Sequence, residues 1–254
     1  MTEMMLLDSY LKQLRLPTFL RHYRQVAQDA ARQQLSYDRF LLALAEQEIA
    51  QREQNVQTQR LKAAHFPTLK ELADFDFSCL SSPTKLRVLD LARGQYLAKT
   101  EPILLVGNPG LGKTHIATGL AAAAGRQGHH VRFYNAAALV NEMLQLQDKH
   151  QLPRFFTSLL RQHLVVIDEL GFIPFSAAGS QLMFQLCSTL YERVALIITT
   201  NLPFADWTQV FGDERLTAAL LDRLTDRAHI LEFVGESFRF RQHTRQSPKE
   251  VRAD

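Results

Sequence analysis

The chain has 254 residues, which is enough for one large domain or for a main domain with a smaller companion. Hydrophobic residues make up 46% of the chain, which allows a sizeable core and argues against wholesale disorder. The net charge of +3 permits an acidic partner such as nucleic acid but does not require one.

The cysteines and the apolar segments predict a soluble cytoplasmic protein. Cys79 and Cys187 are isolated, match no metal-ligand spacing, and are interpreted as reduced thiols. The N-terminal sequence lacks the basic start and the apolar run of a signal peptide. Because no apolar stretch approaches the roughly 20 residues that cross a bilayer, we expect no membrane association.

The first third of the sequence predicts three helices. An apolar period of 3.6 residues over positions 6–14 stops at Pro17, where a second helix can begin. Ser36 is a candidate N-cap for a third helix, whose apolar stripe fades into a polar and basic connector. Turn-forming residues follow. We therefore expect a helical N-terminal domain at 1–66, which contacts a partner or other subunits, and a linker at 67–82.

From residue 100 onward, short apolar runs alternate with helical segments. Such alternation predicts an α/β fold, in which a five-stranded, mainly parallel sheet lies between helices. The predicted α/β domain covers 83–243, and a polar tail follows at 244–254. The five expected strands are 103–107, 130–134, 164–168, 195–200 and 229–233.

The stretch GNPGLGKT fits the phosphate-binding pattern GxxxxGK[ST] and lies between a predicted strand and a predicted helix. Its three glycines let backbone N–H groups and the helix N-terminus meet the phosphates. Lys113 is expected to reach the β- and γ-phosphates, and the Thr114 hydroxyl is offered to Mg²⁺. The residues predicted to bind the nucleotide here are Gly107, Asn108, Pro109, Gly110, Leu111, Gly112, Lys113, Thr114 and the adjoining His115.

The stretch LVVIDEL, at residues 164–170, provides two carboxylates at the end of an apolar strand. Asp168 can hold Mg²⁺ through water, and Glu169 is placed to orient or deprotonate an attacking water. The alternative is a strand that simply runs into an acidic turn. After a phosphate-binding loop the functional interpretation is favoured, and the adjacent glutamate predicts hydrolysis.

The stretch LIITTN ends another apolar strand at Asn201. Its amide could contact the γ-phosphate or the attacking water, or it could cap the NLPF turn, and the sequence weighs the two evenly. The NKxD pattern of guanine selectivity is absent, so ATP is preferred over GTP.

Arg223 and Arg227 stand four residues apart in LLDRLTDRAHIL, and on a helix this spacing places both on one face. They could lie on a solvated surface, paired with the neighbouring aspartates. Alternatively, one of them supplies the cation that stabilises a transferred phosphoryl group, since residues 107–201 contain no other candidate. Such an arginine could reach the nucleotide of a neighbouring subunit, so that hydrolysis would depend on assembly.

Together these motifs resemble those of AAA+ ATPases of the helicase-loader clade, and more narrowly those of the IstB-like transposition helper ATPases. The resemblance covers roughly residues 8–243 and includes the N-terminal run YLKQLRLPTFL. It implies an AAA+ core without the usual helical lid and ATP-dependent assembly of a homo-oligomer on double-stranded DNA. It also implies a partner transposase encoded by the same mobile element. A replicative helicase loader related to DnaC, acting on a ring helicase and single-stranded DNA, is the alternative.

The resemblance also assigns roles to individual residues. Asp168 supports Mg²⁺ and Glu169 activates water. Asn201 matches the sensor asparagine, and Arg223 matches the arginine that acts in trans, with Arg227 as the second candidate. Arg239 corresponds to a second sensor arginine.

Basic residues in two segments are candidates for DNA contacts. Each is more often part of a solvated surface than a phosphate contact, and only the clustering raises them. The candidates are Lys149, His150 and Arg154 between the second and third strands, and Arg52, Arg60 and Lys62 in the connector.

Overall fold

The computed structural model describes residues 3–235, and two compact units divide between Gln59 and Arg60. Arg239 and the predicted polar tail at 244–254 lie outside the described residues. The division falls earlier in the chain than the expected linker at 67–82.

The described chain contains helices and strands in the order that the sequence predicts. The helices are α1 (Glu3–Gln13), α2 (Pro17–Arg32), α3 (Tyr37–Ala63), α4 (Ser82–Leu91), α5 (Gln95–Lys99), α6 (Lys113–Arg126), α7 (Ala136–Asp148), α8 (Leu152–Leu159), α9 (Ala177–Leu190), α10 (Thr208–Phe211) and α11 (Glu214–Thr225). The strands are β1 (Ile103–Gly107), β2 (Val131–Asn135), β3 (Leu164–Leu170), β4 (Ala195–Thr200) and β5 (His229–Phe233). No helix within residues 3–235 combines the length and the apolar character needed to cross a membrane.

A buried carboxylate ties the helices of the N-terminal unit together. Glu48 of α3 is only 4% exposed, and it accepts a hydrogen bond of 2.9 Å from the Thr18 N–H in the first turn of α2. Arg52, one turn further along α3, donates to Glu48 at 2.7 Å and to the Arg15 carbonyl at 2.6 Å. Glu48 thereby caps α2, which has no side-chain cap of its own, and holds the α1–α2 turn through Arg52.

The connector and the linker expected from the sequence are structured. Helix α3 continues to Ala63 because its later residues are mostly Gln, Arg, Glu and Ala, which favour helix even without an apolar stripe. The segment expected to be a linker contains two short 3₁₀ helices, Leu72–Asp74 and Phe77–Cys79. Its apolar side chains, including Phe75, pack on the core of the second unit. Fading amphipathicity and turn residues therefore did not mark a loose connection.

The second unit contains a five-stranded sheet in the order β2-β3-β4-β1-β5, and every neighbouring pair is parallel. This confirms the predicted α/β fold. Strands β1, β4 and β5 have the predicted bounds, β2 is shifted by one residue, and β3 is two residues longer. In such sheets ligands bind outside the carboxyl ends of the strands, near the point where the strand order reverses.

Alternating side chains bury both faces of the sheet. On β3, Leu164 and Val166 face the core formed with α4, α5 and α6, whereas Val165 and Ile167 face the core formed with α7, α9 and α11. The sheet is thus a fixed platform, and the loops at its carboxyl edge carry the predicted nucleotide-binding residues.

Candidate active site

The predicted phosphate-binding loop connects the end of β1 to the start of α6. Gly112, the N-cap of α6, has φ of 87°, and a Cβ there would stand 2.5 Å from the Phe75 ring. Gly107 has φ of 146°, and a Cβ there would overlap the carbonyl oxygen of Phe233 on β5. Only glycine fits these two positions, so the loop can wrap tightly around an anion at the N-terminus of α6.

Lys113 and Thr114 open α6 at the mouth of this loop. The Lys113 side chain is 6% exposed, and its ammonium donates to the carbonyl oxygens of Gly107 and Asn108 at 2.6 and 2.8 Å. Thr114 donates its hydroxyl to Oδ1 of Asp168 at 2.9 Å. The structure thus brings the helix hydroxyl and the carboxylate of β3 into contact, next to a lysine that is bonded to the loop.

Strand β3 is irregular where its two carboxylates lie. Ile167 pairs with Ile198 and Leu170 pairs with Thr200, so Asp168 and Glu169 together stand opposite Thr199 alone. One strand thus carries an extra residue, which is a β-bulge. Glu169 has φ of 60°, an unusual backbone conformation for a residue with a side chain. The bulge leaves Asp168 buried and Glu169 exposed.

Asn135 at the end of β2 holds the Glu169 carboxylate and was not identified from the sequence. Its amide nitrogen donates to Oε2 of Glu169 at 2.9 Å. Its amide oxygen accepts from the N–H groups of Ala137 and Ala138 and so caps α7. One side chain therefore orients the candidate base and begins the next helix.

A cavity of about 540 Å³ joins these groups to a second set of residues. Glu169, Phe172, Thr199 and Asn201 line it beside the phosphate-binding loop. The turn-capping role that Asn201 could have had belongs to Thr200, whose hydroxyl accepts from the Leu202 N–H at 3.1 Å. The other wall of the cavity is formed by Lys70, Asp74, Phe75, Asp76 and Cys79.

This other wall is the segment that the sequence predicted to be a linker. His115 joins it to α6, because its Nε2 lies 2.8 Å from the Glu71 carbonyl oxygen and its ring packs edge-on against Phe75. Phe75 and the phosphate-binding loop therefore line one and the same cavity. Because turn-forming residues are frequent in this segment, its sequence did not predict that it lines the cavity.

The residues at the cavity fit ATP with Mg²⁺. A glycine loop at a helix N-terminus suits phosphates, and a carboxylate beside a threonine hydroxyl offers the oxygen ligands that Mg²⁺ prefers. Thr114 and Asp168 supply that oxygen pair, with 2.9 Å between the two atoms. When bound, Mg²⁺ would neutralise charge on the terminal phosphates.

Arg223 lies near the amino ends of the strands, on the side of the sheet opposite the phosphate-binding loop. It lines a small cavity with Pro102, which precedes β1, and with Val194, which precedes β4, whereas the phosphate-binding loop follows β1. A strand of five residues spans about 16 Å. The guanidinium lies 4.8 Å from the centre of the Phe184 ring, and it donates to the Ala219 carbonyl at 3.3 Å. Within residues 3–235 it forms no ion pair.

Arg227 does not share a helical face with Arg223, contrary to the expectation from their spacing. Helix α11 ends at Thr225, and Arg227 follows it with φ of 54°. Asp226 accepts a hydrogen bond of 2.7 Å from the Tyr191 hydroxyl and is not paired with either arginine. Of these two arginines, only Arg223 lies within the helix.

The candidate DNA-contacting residues fall into separate places. Lys149, His150 and Arg154 are exposed around the turn between α7 and α8, and the described residues give them no ion pair. Arg52 is engaged inside the N-terminal unit, as described above. Arg60 and Lys62 lie in the last turn of α3.

Comparison with known proteins agrees with this geometry. The family model described as "IstB-like ATP binding protein" matches residues 9–247. The "Insertion sequence IS21 putative ATP-binding protein" of Pseudomonas aeruginosa is 33% identical over 93% of this chain and 89% of that protein. An insertion-sequence ATP-binding protein of Sinorhizobium fredii is 36% identical over 91% of this chain and 78% of its own length.

The fold is similar to that of solved AAA+ proteins. The crystal structure of the DnaC helicase loader superposes with a TM-score of 0.52 at 20% identity, covering 69% of this chain and 99% of that one. That of DnaI superposes with a TM-score of 0.56 at 15% identity, covering 70% of this chain and 94% of that one. At such identities the likeness establishes the AAA+ fold.

Proposed function

The chain belongs to the family of IstB-like ATP-binding proteins and is a P-loop ATPase, and from that premise we propose that it assembles on double-stranded DNA when it binds ATP. The DNA-bound oligomer recruits or regulates the transposase of the same insertion sequence, in the cytoplasm. The names of its relatives support this, because they describe ATP-binding proteins of insertion sequences.

The chemistry follows from the residues at the cavity. The backbone of residues 107–114 binds the phosphates, and Lys113 places its charge against them. Thr114 and Asp168 would hold Mg²⁺, which would supply positive charge beside the phosphate oxygens. Glu169 accepts a proton from the attacking water, and Asn201 orients that water or the γ-phosphate. Arg239, assigned as a second sensor by resemblance only, lies outside the described residues.

The position of Arg223 is the observation that carries the dependence on assembly. It lies at the edge of the sheet away from its own phosphate-binding loop, and it is held by an aromatic ring and a carbonyl. A guanidinium that has no carboxylate partner can bind an incoming phosphate without first breaking an ion pair. A neighbouring subunit's ATP is the phosphate that such a surface residue can meet, so we assign Arg223 rather than Arg227 as the residue acting in trans.

The turn between α7 and α8 supports contact with DNA. Lys149, His150 and Arg154 are exposed there, and the lysine and the arginine carry charge that other described residues do not neutralise. Such residues contact phosphates, which gives strong salt dependence and little sequence preference.

The alternative function is that of a helicase loader acting on single-stranded DNA. The likeness to DnaC favours it, since the match covers 99% of that chain. The family match and the insertion-sequence relatives favour the transposition helper.

Sedimentation with labelled DNA tests the proposal. With ATP, the parent chain should co-sediment with duplexes of unrelated sequence, and binding should weaken steeply as salt rises. Lys113→Ala should lose nucleotide binding and DNA-bound oligomers together. Lys85→Ala removes an exposed lysine outside the cavity and should behave as the parent does.

Two results would contradict the proposal. Assembly of Lys113→Ala on duplex DNA at the parent's level would separate assembly from ATP. A preference for single strands over duplex DNA would favour the helicase loader.

A further inference from the structure

Thr199, near the end of β4, has a buried hydroxyl that contacts both carboxylate-bearing residues of β3. The residue is 1% exposed. Its Oγ1 donates to Oδ1 of Asp168 at 2.6 Å and accepts from the backbone N–H of Glu169 at 2.9 Å. A hydroxyl has one proton to give, and here that proton goes to a carboxylate. Both bonds therefore end on residues of the nucleotide site.

The β-bulge explains why a side chain is needed at this point. Two residues of β3 stand opposite Thr199, so the regular pairing of β3 with β4 is interrupted there. The Glu169 N–H points to the Thr199 hydroxyl instead of a carbonyl of β4. Because Glu169 also has φ of 60°, its backbone needs surrounding contacts to hold this conformation.

The same hydroxyl fixes the rotamer of Asp168. Oδ1 of Asp168 accepts from Thr199 on one side and from Thr114 on the other, at 2.6 and 2.9 Å. Both hydrogen bonds end on Oδ1, so among residues 3–235 Oδ2 of Asp168 is left for other ligands. If Thr114 served as a ligand of Mg²⁺, Thr199 would still donate to the Asp168 carboxylate and orient it.

We propose that Thr199 is a positioning residue for ATP hydrolysis, which sets Asp168 for Mg²⁺ and Glu169 for water through one hydroxyl. This inference rests on the roles proposed above for Asp168 and Glu169. The role of Thr199 differs from the one proposed for Asn201, because both hydrogen bonds of the Thr199 hydroxyl end on the two β3 residues.

The test compares three variants of the full-length chain. Thr199→Val keeps the shape and removes the hydroxyl, whereas Thr199→Ser keeps the hydroxyl. Thr217→Val is the matched control, because Thr217 is 3% exposed and its hydroxyl donates to the carbonyl of Asp213, the N-cap of α11, away from the cavity residues. Steady-state ATPase assays give kcat and KM. Titration of a fluorescent ATP analogue, with EDTA and then with Mg²⁺, gives the gain in affinity that Mg²⁺ confers.

Thr199→Val should lower kcat about 10- to 100-fold, the range expected for loss of a hydrogen bond to a charged group. Affinity for the analogue in EDTA should stay within about twofold of the parent. The gain in affinity on adding Mg²⁺ should shrink, because the substitution removes the hydrogen bond that orients the Asp168 carboxylate. Thr199→Ser and Thr217→Val should retain the parent's kcat and Mg²⁺ gain. A loss of fold alone would not produce this selective change.

Glu169→Gln, assayed in parallel, separates the possible failures. If Glu169→Gln hydrolyses ATP normally, the proposed role of Glu169 is wrong. If Glu169→Gln is inactive and Thr199→Val keeps both kcat and the Mg²⁺ gain of the parent, the positioning role of Thr199 is overturned. Equal losses in Thr199→Val and Thr199→Ser would also overturn it, since the hydroxyl would then not be the cause.

Discussion

Replacing Arg223 by alanine separates catalysis from folding more cleanly than any other change at the site. The side chain is half-buried, and the structure gives it one aromatic contact and one carbonyl partner. A half-buried cation–π contact is worth about 0.5–2 kcal/mol, so the variant should remain folded. If the guanidinium completes a neighbour's site, kcat should fall at least ~10³-fold, which corresponds to about 4 kcal/mol of transition-state stabilisation. The catalytic effect should therefore far exceed the structural one.

Mixing two inactive variants on duplex DNA tests the trans role. Glu169→Gln subunits still bind ATP and carry Arg223 but do not turn over, so they can assemble and complete the site of an adjacent Arg223→Ala subunit. In a random, head-to-tail assembly, about a quarter of the interfaces in an equimolar mixture combine an intact Glu169 with an intact Arg223. ATPase activity should rise from near zero at either end of the mixing series to a maximum near equal amounts.

Controls decide how the mixing curve is interpreted. Arg215→Ala removes an exposed arginine from the first turn of the same helix and should leave activity unchanged. A flat curve, although labelled subunits demonstrably share oligomers, would mean that Arg223 acts within its own subunit or only packs on Phe184. Recovery with Arg227→Ala in place of Arg223→Ala would move the role to the residue beyond the helix end.

Two further variants test other parts of the chain. Glu169→Gln keeps the side-chain shape but removes the base, so kcat should fall about 10²- to 10⁴-fold while ATP still binds. Its complexes on DNA should last longer than those of the parent. Phosphate release at the parent's rate would contradict this prediction. Burial alone would raise the pKa of Glu48, but hydrogen bonds from Arg52 and Thr18 lower the pKa below its ordinary value. The stability that Glu48 contributes is therefore present above the unfolded-state pKa and is lost as pH falls through the folded-state pKa. Glu48→Gln should lower the free energy of unfolding by about 1–3 kcal/mol at neutral pH. It should also reduce the fall of the melting temperature as the pH becomes acidic, and a fall as steep as the parent's would contradict the prediction.

The sequence predicted the strands and the nucleotide motifs because both depend on neighbours in the chain. Three of the five strands have the predicted bounds, since apolar runs between helical segments mark buried parallel strands. The loop at 107–114 requires glycines at fixed offsets, and its lysine and threonine follow directly. Because the loop follows β1 and the two carboxylates end β3, a parallel sheet places them at the same end of its strands.

The sequence was less informative wherever the outcome depends on packing. Turn residues at 67–82 indicated a linker, yet Phe75 and its neighbours pack on the core of the second unit and line the cavity. The four-residue spacing of Arg223 and Arg227 suggested a shared helical face. The helix ends between them, where Asp226 bonds instead to Tyr191 of the segment after α9. Local pattern cannot report such distant partners.

Thr199 and Asn135 show most clearly why motifs alone leave a site incomplete. Each stands on a strand beside β3, and each reaches Glu169 only because the parallel register places it there. A bulge of one residue sets the register between the end of β3 and β4, and no spacing of residues along the chain predicts this bulge. A regular β3 would pair residue for residue with β4 and would turn Asp168 and Glu169 to opposite faces. The bulge instead leaves Asp168 buried beside the Thr114 hydroxyl and Glu169 exposed at the cavity, with Thr199 bonded to both β3 residues and Asn135 to the exposed carboxylate.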